Sequence, residues 1–231
     1  MADTKIHILT SRSVSLLIAV LLSVVPAIAQ PRLDEPEMYV GAYGGATVST
    51  VFFSPSVPGM SDLLKVPIGW NAGLMFRYGG HKVCAVQVEA GYVQRGWREY
   101  SATGGYDYTR TLHYIQVPVL AHIHFGGEHA QGFVNIGPDI AYCIQSGQVQ
   151  ESGVKQTTST YQYRAIDHPF DWGVCGGIGF YGKHRRVGVF QLEVRVHYSF
   201  GSLYNNSRVE HFANSNTLTA SLNLAYLWQV R

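Results

Sequence analysis

From Phe190 to Phe200 the even positions are Phe, Leu, Val, Val, Tyr and Phe, and the odd positions between them are Gln191, Glu193, Arg195, His197 and Ser199. Successive side chains of a strand point to opposite faces, so these residues predict a strand with one apolar and one polar face. The segment Thr217–Val230 repeats the pattern, with Leu218, Ala220, Leu222, Leu224, Tyr226 and Trp228 against Thr217, Thr219, Ser221 and Asn223. Six further strands are predicted over Tyr39–Val51, Val66–Tyr78, Val83–Trp97, Tyr108–Phe125, Gly132–Ile144 and Phe170–Tyr181. Pro118 and Pro138 fall inside two of them and cannot donate to a ladder, which predicts a bulge or a frayed register at each.

The connections alternate in length. Gly79–Lys82, Gly126–Gln131 and Gly182–Arg186 are short, whereas Phe52–Lys65, Arg98–Asp107, Gln145–Pro169 and Gly201–Asn216 are long and polar. Short turns on one rim and long loops on the other predict an eight-stranded antiparallel transmembrane β-barrel with both termini on the short-turn, periplasmic side. A soluble calyx would reverse the faces, apolar inward around a ligand. The polar faces, rich in Gly, Asn, Gln, Ser and His, favour the membrane arrangement. So do aromatic residues near strand ends, among them Trp70, Tyr78, Phe125, Trp172 and Trp228, where headgroup girdles form.

Ahead of the strands, Lys5 and Arg12 precede an apolar run from Val14 to Val25, followed by Pro26 and Ala27-Ile28-Ala29. The run is shorter than the roughly 20 residues of a spanning helix, so residues 1–29 read as a secretory signal peptide. Residues 30–38 then form a short periplasmic segment and 39–231 the barrel. Charged residues are only 14% of the chain and the net charge is +2 without a basic run, which excludes a nucleic-acid footprint. Cys84, Cys143 and Cys175 are odd in number and widely spaced, the pattern of packed side chains rather than a metal knuckle.

Several motifs in order resemble the PorT-like outer-membrane β-barrel family common in Bacteroidetes. They are Gly41-Ala42-Tyr43-Gly44-Gly45, Glu89-Ala90-Gly91-Tyr92 running to Gly96, and Tyr114-Ile115-Gln116-Val117-Pro118. Gly137-Pro138, Phe170-Asp171-Trp172-Gly173 and Arg195-Val196-His197-Tyr198-Ser199-Phe200-Gly201 follow. The resemblance implies an outer-membrane location and, for the founding member, a part in type IX secretion and gliding. The chain departs from the terminal aromatic of many such barrels, since its last aromatic, Trp228, stands three residues from the end.

Counting upward from the short-turn rim places Glu89 and Glu193 at one level, Asp139 and Arg195 two residues higher, and Asp171 and Arg95 above those, all on inner faces. An eight-stranded barrel is just wide enough for side chains to fill, so the six residues are expected to form a packed polar network and not an open pore. His122 and His124 share a face and could chelate zinc with a third ligand, but Gln87 is a poor one and a lumen-filling pair is the expectation. His113, His197 and His211 form no evident triad. Ser199 lies two residues from His197 on one face, which keeps a lipid-modifying acyl-transfer site as an alternative, beside a small-solute channel. The expected protein is non-enzymatic, with no cofactor or metal. Its expected partners are outer-membrane lipid and proteins met through the long extracellular loops or the periplasmic face.

Overall fold

The computed structural model describes residues 32–54, 64–65, 67–81, 83–101, 106–127, 130–152, 166–184, 187–204 and 214–230. The expected signal peptide, His211 and the middle of the long connections lie outside the described residues. The strands are β1 (Arg32–Ser54), β2 (Leu64–Lys65), β3 (Ile68–His81), β4 (Cys84–Ser101), β5 (Tyr106–Gly126), β6 (Ala130–Ser152), β7 (Phe170–His184), β8 (Gly188–Ser199) and β9 (Asn214–Gln229). Every pair is antiparallel. The eight long strands close in chain order, β1 meeting β9 from Tyr39↔Gln229 to Ser54↔Asn214, while two-residue β2 adds only to β4. Among the described residues no helix is long and apolar enough to cross a membrane.

The polarity of this cylinder is inverted. Ile68 is 83% exposed, Leu74 67% and Leu224 61%, whereas Gln87, Glu89, Asn135, Gln191 and Glu193 are at most 1% exposed. A wall with this outer face is stable only against hydrocarbon, where a closed ladder is required because no water pairs an open edge. Trp70 and Tyr78 flank Leu74 four residues to either side on β3, an apolar belt about 20 Å tall at the rise and tilt of barrel strands.

Several strands run longer than their apolar alternation. β1 begins at Arg32, so most of the stretch 30–38, expected to lie ahead of the barrel, belongs to its first strand. β6 continues to Ser152 and β4 to Ser101, so the Gln145 and Arg98 connections are partly strand. Backbone pairing beyond the membrane needs no apolar face, and alternation cannot report it. The prolines fray the ladder without a bulge. Pairing passes Val117↔Ile140 and Pro118↔Asp139 and resumes at Ala121↔Ile136 in unchanged register. Gly137 permits this, because a Cβ there would lie 1.9 Å from the Val119 carbonyl oxygen.

One seam is incomplete. β3 and β4 pair from Tyr78↔Val86 to Asn71↔Val93, and β4 next meets β2 at Lys65↔Arg98, one residue out of register. Pro67, which has no N–H, stands in the interval. Inward hydroxyls of β1 substitute for the missing strand. Thr47 Oγ1 donates to the Gln94 carbonyl at 3.1 Å, and Ser49 Oγ accepts from the Gly96 N–H at 2.7 Å and donates to the Gly96 carbonyl at 3.0 Å.

Two substitutions test this architecture by denaturant unfolding in lipid vesicles. Leu74→Arg, at mid-belt, is expected to cost about 2–4 kcal/mol and Val230→Arg, at the rim, about 0–1 kcal/mol; equal costs would contradict the belt. Ser49→Ala is expected to cost about 1–3 kcal/mol by leaving both Gly96 backbone groups unpaired, and an unmoved midpoint would show that the hydroxyl does not hold the seam.

Candidate functional site

Period-two alternation turns the charged side chains of β3, β4, β6, β7 and β8 into the lumen, where they collect in two layers. In the first, nearer the short turns, Arg195 lies between two carboxylates. Its Nη1 and Nη2 donate to Glu89 at 2.7 Å each, and its Nε and Nη2 donate to Glu193 at 3.0 and 2.9 Å. Gln87 Nε2 donates to Glu89 at 2.6 Å and Gln191 Nε2 to Glu193 at 3.2 Å. Arg77 closes the layer from below, its Nε donating to Gln87 Oε1 at 2.8 Å and its Nη2 to Gln191 Oε1. Two guanidiniums therefore stand with two carboxylates, and the layer is neutral. Breaking such a buried group by removing one partner leaves an uncompensated charge.

The second layer is built on Arg95. Nη1 donates to Asp171 at 2.8 Å, and Nη2 to Gln116 at 3.0 Å and Asp139 at 3.4 Å. His197 Nε2 lies 2.7 Å from Asp139 Oδ2, and the Ser199 hydroxyl donates to Asp171 Oδ1. Two carboxylates thus face one guanidinium and one imidazole. A cavity of about 20 Å³, the size of one water molecule, separates the layers. Asp139, Arg195 and His197 line it.

Aromatic plugs close both ends. On the long-loop side Trp97, Tyr108, Tyr114 and Tyr204 are buried together, and the Arg95 guanidinium sits 4.9 Å over the Tyr114 ring. Arg110 donates to the Tyr204 hydroxyl at 3.0 Å and lies 5.6 Å over Trp97. On the short-turn side Tyr39, Tyr43, Phe133, Tyr181 and Leu227 pack together, with Arg77 5.6 Å over Tyr181. His122 belongs to this plug. Its Nδ1 is 2.7 Å from Asn135 Oδ1 and its ring is 4.9 Å from Phe133 and 5.6 Å from His124. Asn135 Nδ2 in turn donates to Glu193 at 3.0 Å, joining plug to layer.

All six residues singled out from the sequence are buried in the lumen: Glu89, Glu193 and Arg195 in the first layer, Arg95, Asp139 and Asp171 in the second. Arg77, Gln87, Gln191, Asn135 and His197 join these six in the lumen. Arg77, Asn135 and His197 do so through strands that are not neighbours, for which strand counting has no signal. An acid does stand beside His197, since β7 alone separates β8 from Asp139 on β6. Ser199 nevertheless bonds to Asp171 and not to the imidazole, and is 1% exposed. A nucleophilic serine needs its proton directed at a base and its oxygen open to substrate; here the hydroxyl is spent on Asp171 and its oxygen is closed off. Cys143 and Cys175 are buried, Cys84 is half-buried, and all three are free thiols. Among the described residues no three His, Cys, Asp or Glu side chains are grouped to hold a metal.

Removal of Arg195 is the sharpest test of the first layer. Arg195→Ala is expected to destabilise the barrel by about 3–5 kcal/mol, read as a lowered denaturation midpoint. Adding Glu89→Gln and Glu193→Gln to the same chain is expected to restore much of the loss; no loss in the single variant would contradict the layer.

A family model described as "Outer membrane protein beta-barrel domain" matches residues 29–205. Among solved structures, OprG of Pseudomonas aeruginosa is similar at 12% identity and a TM-score of 0.50, covering 83% of this chain and 96% of that one. Neisserial surface protein A is similar at 11% identity and a TM-score of 0.45, over 84% and 99% of the two chains. The outer membrane enzyme PagL is similar at 14% identity and a TM-score of 0.43, over 81% and 98%. Among curated proteins no sequence match is found.

Proposed function

The chain belongs to the outer membrane protein beta-barrel domain family and sits in the bacterial outer membrane, and from that premise we propose that it is a non-enzymatic scaffold which holds its long connections at the cell surface. In this reading residues 1–29 are a leader removed on export, the short turns and both termini face the periplasm, and the long connections face outward. Partners are then proteins met by those connections or by the periplasmic rim, with outer-membrane lipid around the wall. A PorT-like, secretion-accessory role is the finer form of the same proposal, resting on the motif order from Gly41 to Gly201.

The observation that carries the reading is the closed lumen. Two ionic layers lie between two aromatic plugs, and the space between the layers is about 20 Å³. Such an interior offers no path to a solute. It stiffens the cylinder instead, because each guanidinium ties together strands that are not neighbours: Arg195 of β8 binds Glu89 of β4, and Arg95 of β4 binds Asp171 of β7. A rigid wall with a filled interior does its work at its ends.

Reconstitution into planar bilayers tests this. The scaffold is expected to produce no resolved conductance steps, and cells carrying it are expected to lose the Gln145–Pro169 connection to external protease while the wall survives. Sustained single-channel steps from the unmodified protein would favour the channel alternative and overturn the proposal.

A further inference from the structure

We propose that the gap in the β3–β4 seam is a binding site for a phosphate-bearing headgroup presented by a membrane lipid. Where the ladder stops above Asn71↔Val93, the wall opens into a pocket of about 250 Å³. Pro67 and Gly69 border it on one side, Gln94, Thr111 and His113 on the other, and Arg95 lies at its inner side. Gln94, Thr111 and His113 set three polar side chains together on an outer face that at belt depth is aliphatic, Gly, Pro and aromatic, which is anomalous for a wall in contact with acyl chains.

The depth fits a headgroup. Trp70 and Tyr92 mark the aromatic girdle nearer the long loops, their ring centroids 4.6 Å apart, and the gap begins directly beyond them. Aromatic girdles lie at the level of lipid headgroups. The chemistry fits an oxyanion. The lining offers an amide, a hydroxyl, an imidazole and a guanidinium, and no carboxylate. The Tyr92 hydroxyl is bonded to His113 Nδ1, which fixes the ring and leaves Nε2 for a ligand. Arg95 Nε is buried without a hydrogen-bond partner. Donors with no carboxylate among them, at headgroup depth and open sideways, match a phosphate whose acyl chain descends the outer face past Ile115. The pocket is not a passage, because Arg95 and its carboxylates separate it from the lumen.

The test follows the imidazole proton resonances of His113, assigned by their loss in His113→Gln, with the protein in uncharged maltoside micelles. Three probes are added: monoacyl phosphatidic acid, monoacylglycerol of the same chain length, and inorganic phosphate. The proposal expects a saturable shift with the phosphatidic acid and none with the glycerol. It also expects roughly tenfold weaker binding in Gln94→Leu or Thr111→Val, the scale of one hydrogen bond to a charged group. Both substitutions are on the outer face, away from the ionic layers, so folding can be checked independently by the unfolding midpoint. Inorganic phosphate binding as tightly as the phosphatidic acid would keep the phosphate chemistry and overturn the lipid as its source. No shift, an equal shift with monoacylglycerol, or unchanged binding in both variants would overturn the site.

Discussion

Arg195, held between Glu89 and Glu193 in the middle of the cylinder, embodies the constraint on which the rest of the structure depends. A wall whose outer face is hydrocarbon-compatible must turn its polar residues inward, and an eight-stranded barrel leaves them little room for water. Charges in such a space are tolerated only when neutralised and hydrogen-bonded in place. The layers approach that condition with guanidiniums that each reach more than one carboxylate, and with Gln87, Gln191, Asn135 and Gln116 supplying further contacts, while Arg95 Nε and Asp139 Oδ1 stay without a partner.

The same constraint explains the ends and the seam. Above and below the layers, aromatic rings fill the lumen and meet Arg95, Arg110 and Arg77 with their faces, so guanidinium surface not used in ion pairs is covered by π-systems. Where β3 gives out, Thr47 and Ser49 hydroxyls pair backbone groups of β4 that would otherwise be unsatisfied. The wall stays closed on its inner side there and is recessed on its outer side. The lateral pocket beside the girdle nearer the long loops thus arises from one local shortage of strand.

How much of this can be read without coordinates differs by level. The alternation from Phe190 to Phe200 determines the faces of β8 completely, and the short Gly-containing turns order the strands. Strand length is not legible beyond the membrane, because Gln145–Ser152 pairs through its backbone and carries no apolar period. Strand counting puts Arg195 level with Asp139, yet its long side chain reaches down to Glu89 and Glu193, while Asp139 faces Arg95 and His197. Heights of Cα atoms do not specify where a flexible guanidinium reaches. The seam is illegible for another reason: Ser49 looks like any inward polar residue of β1, and only the early end of β3 gives its hydroxyl two backbone partners.

The central claim is that side chains fill the lumen and that its charges act in two separate layers. Double-mutant cycles of unfolding free energy in lipid vesicles test it most directly, one combining Glu89→Gln with Arg195→Met and the other Glu89→Gln with Asp171→Asn. The account requires a coupling of about 1–3 kcal/mol within the first pair and additivity to about 0.5 kcal/mol in the second. Additivity in both pairs, as a water-filled lumen would produce, would contradict it.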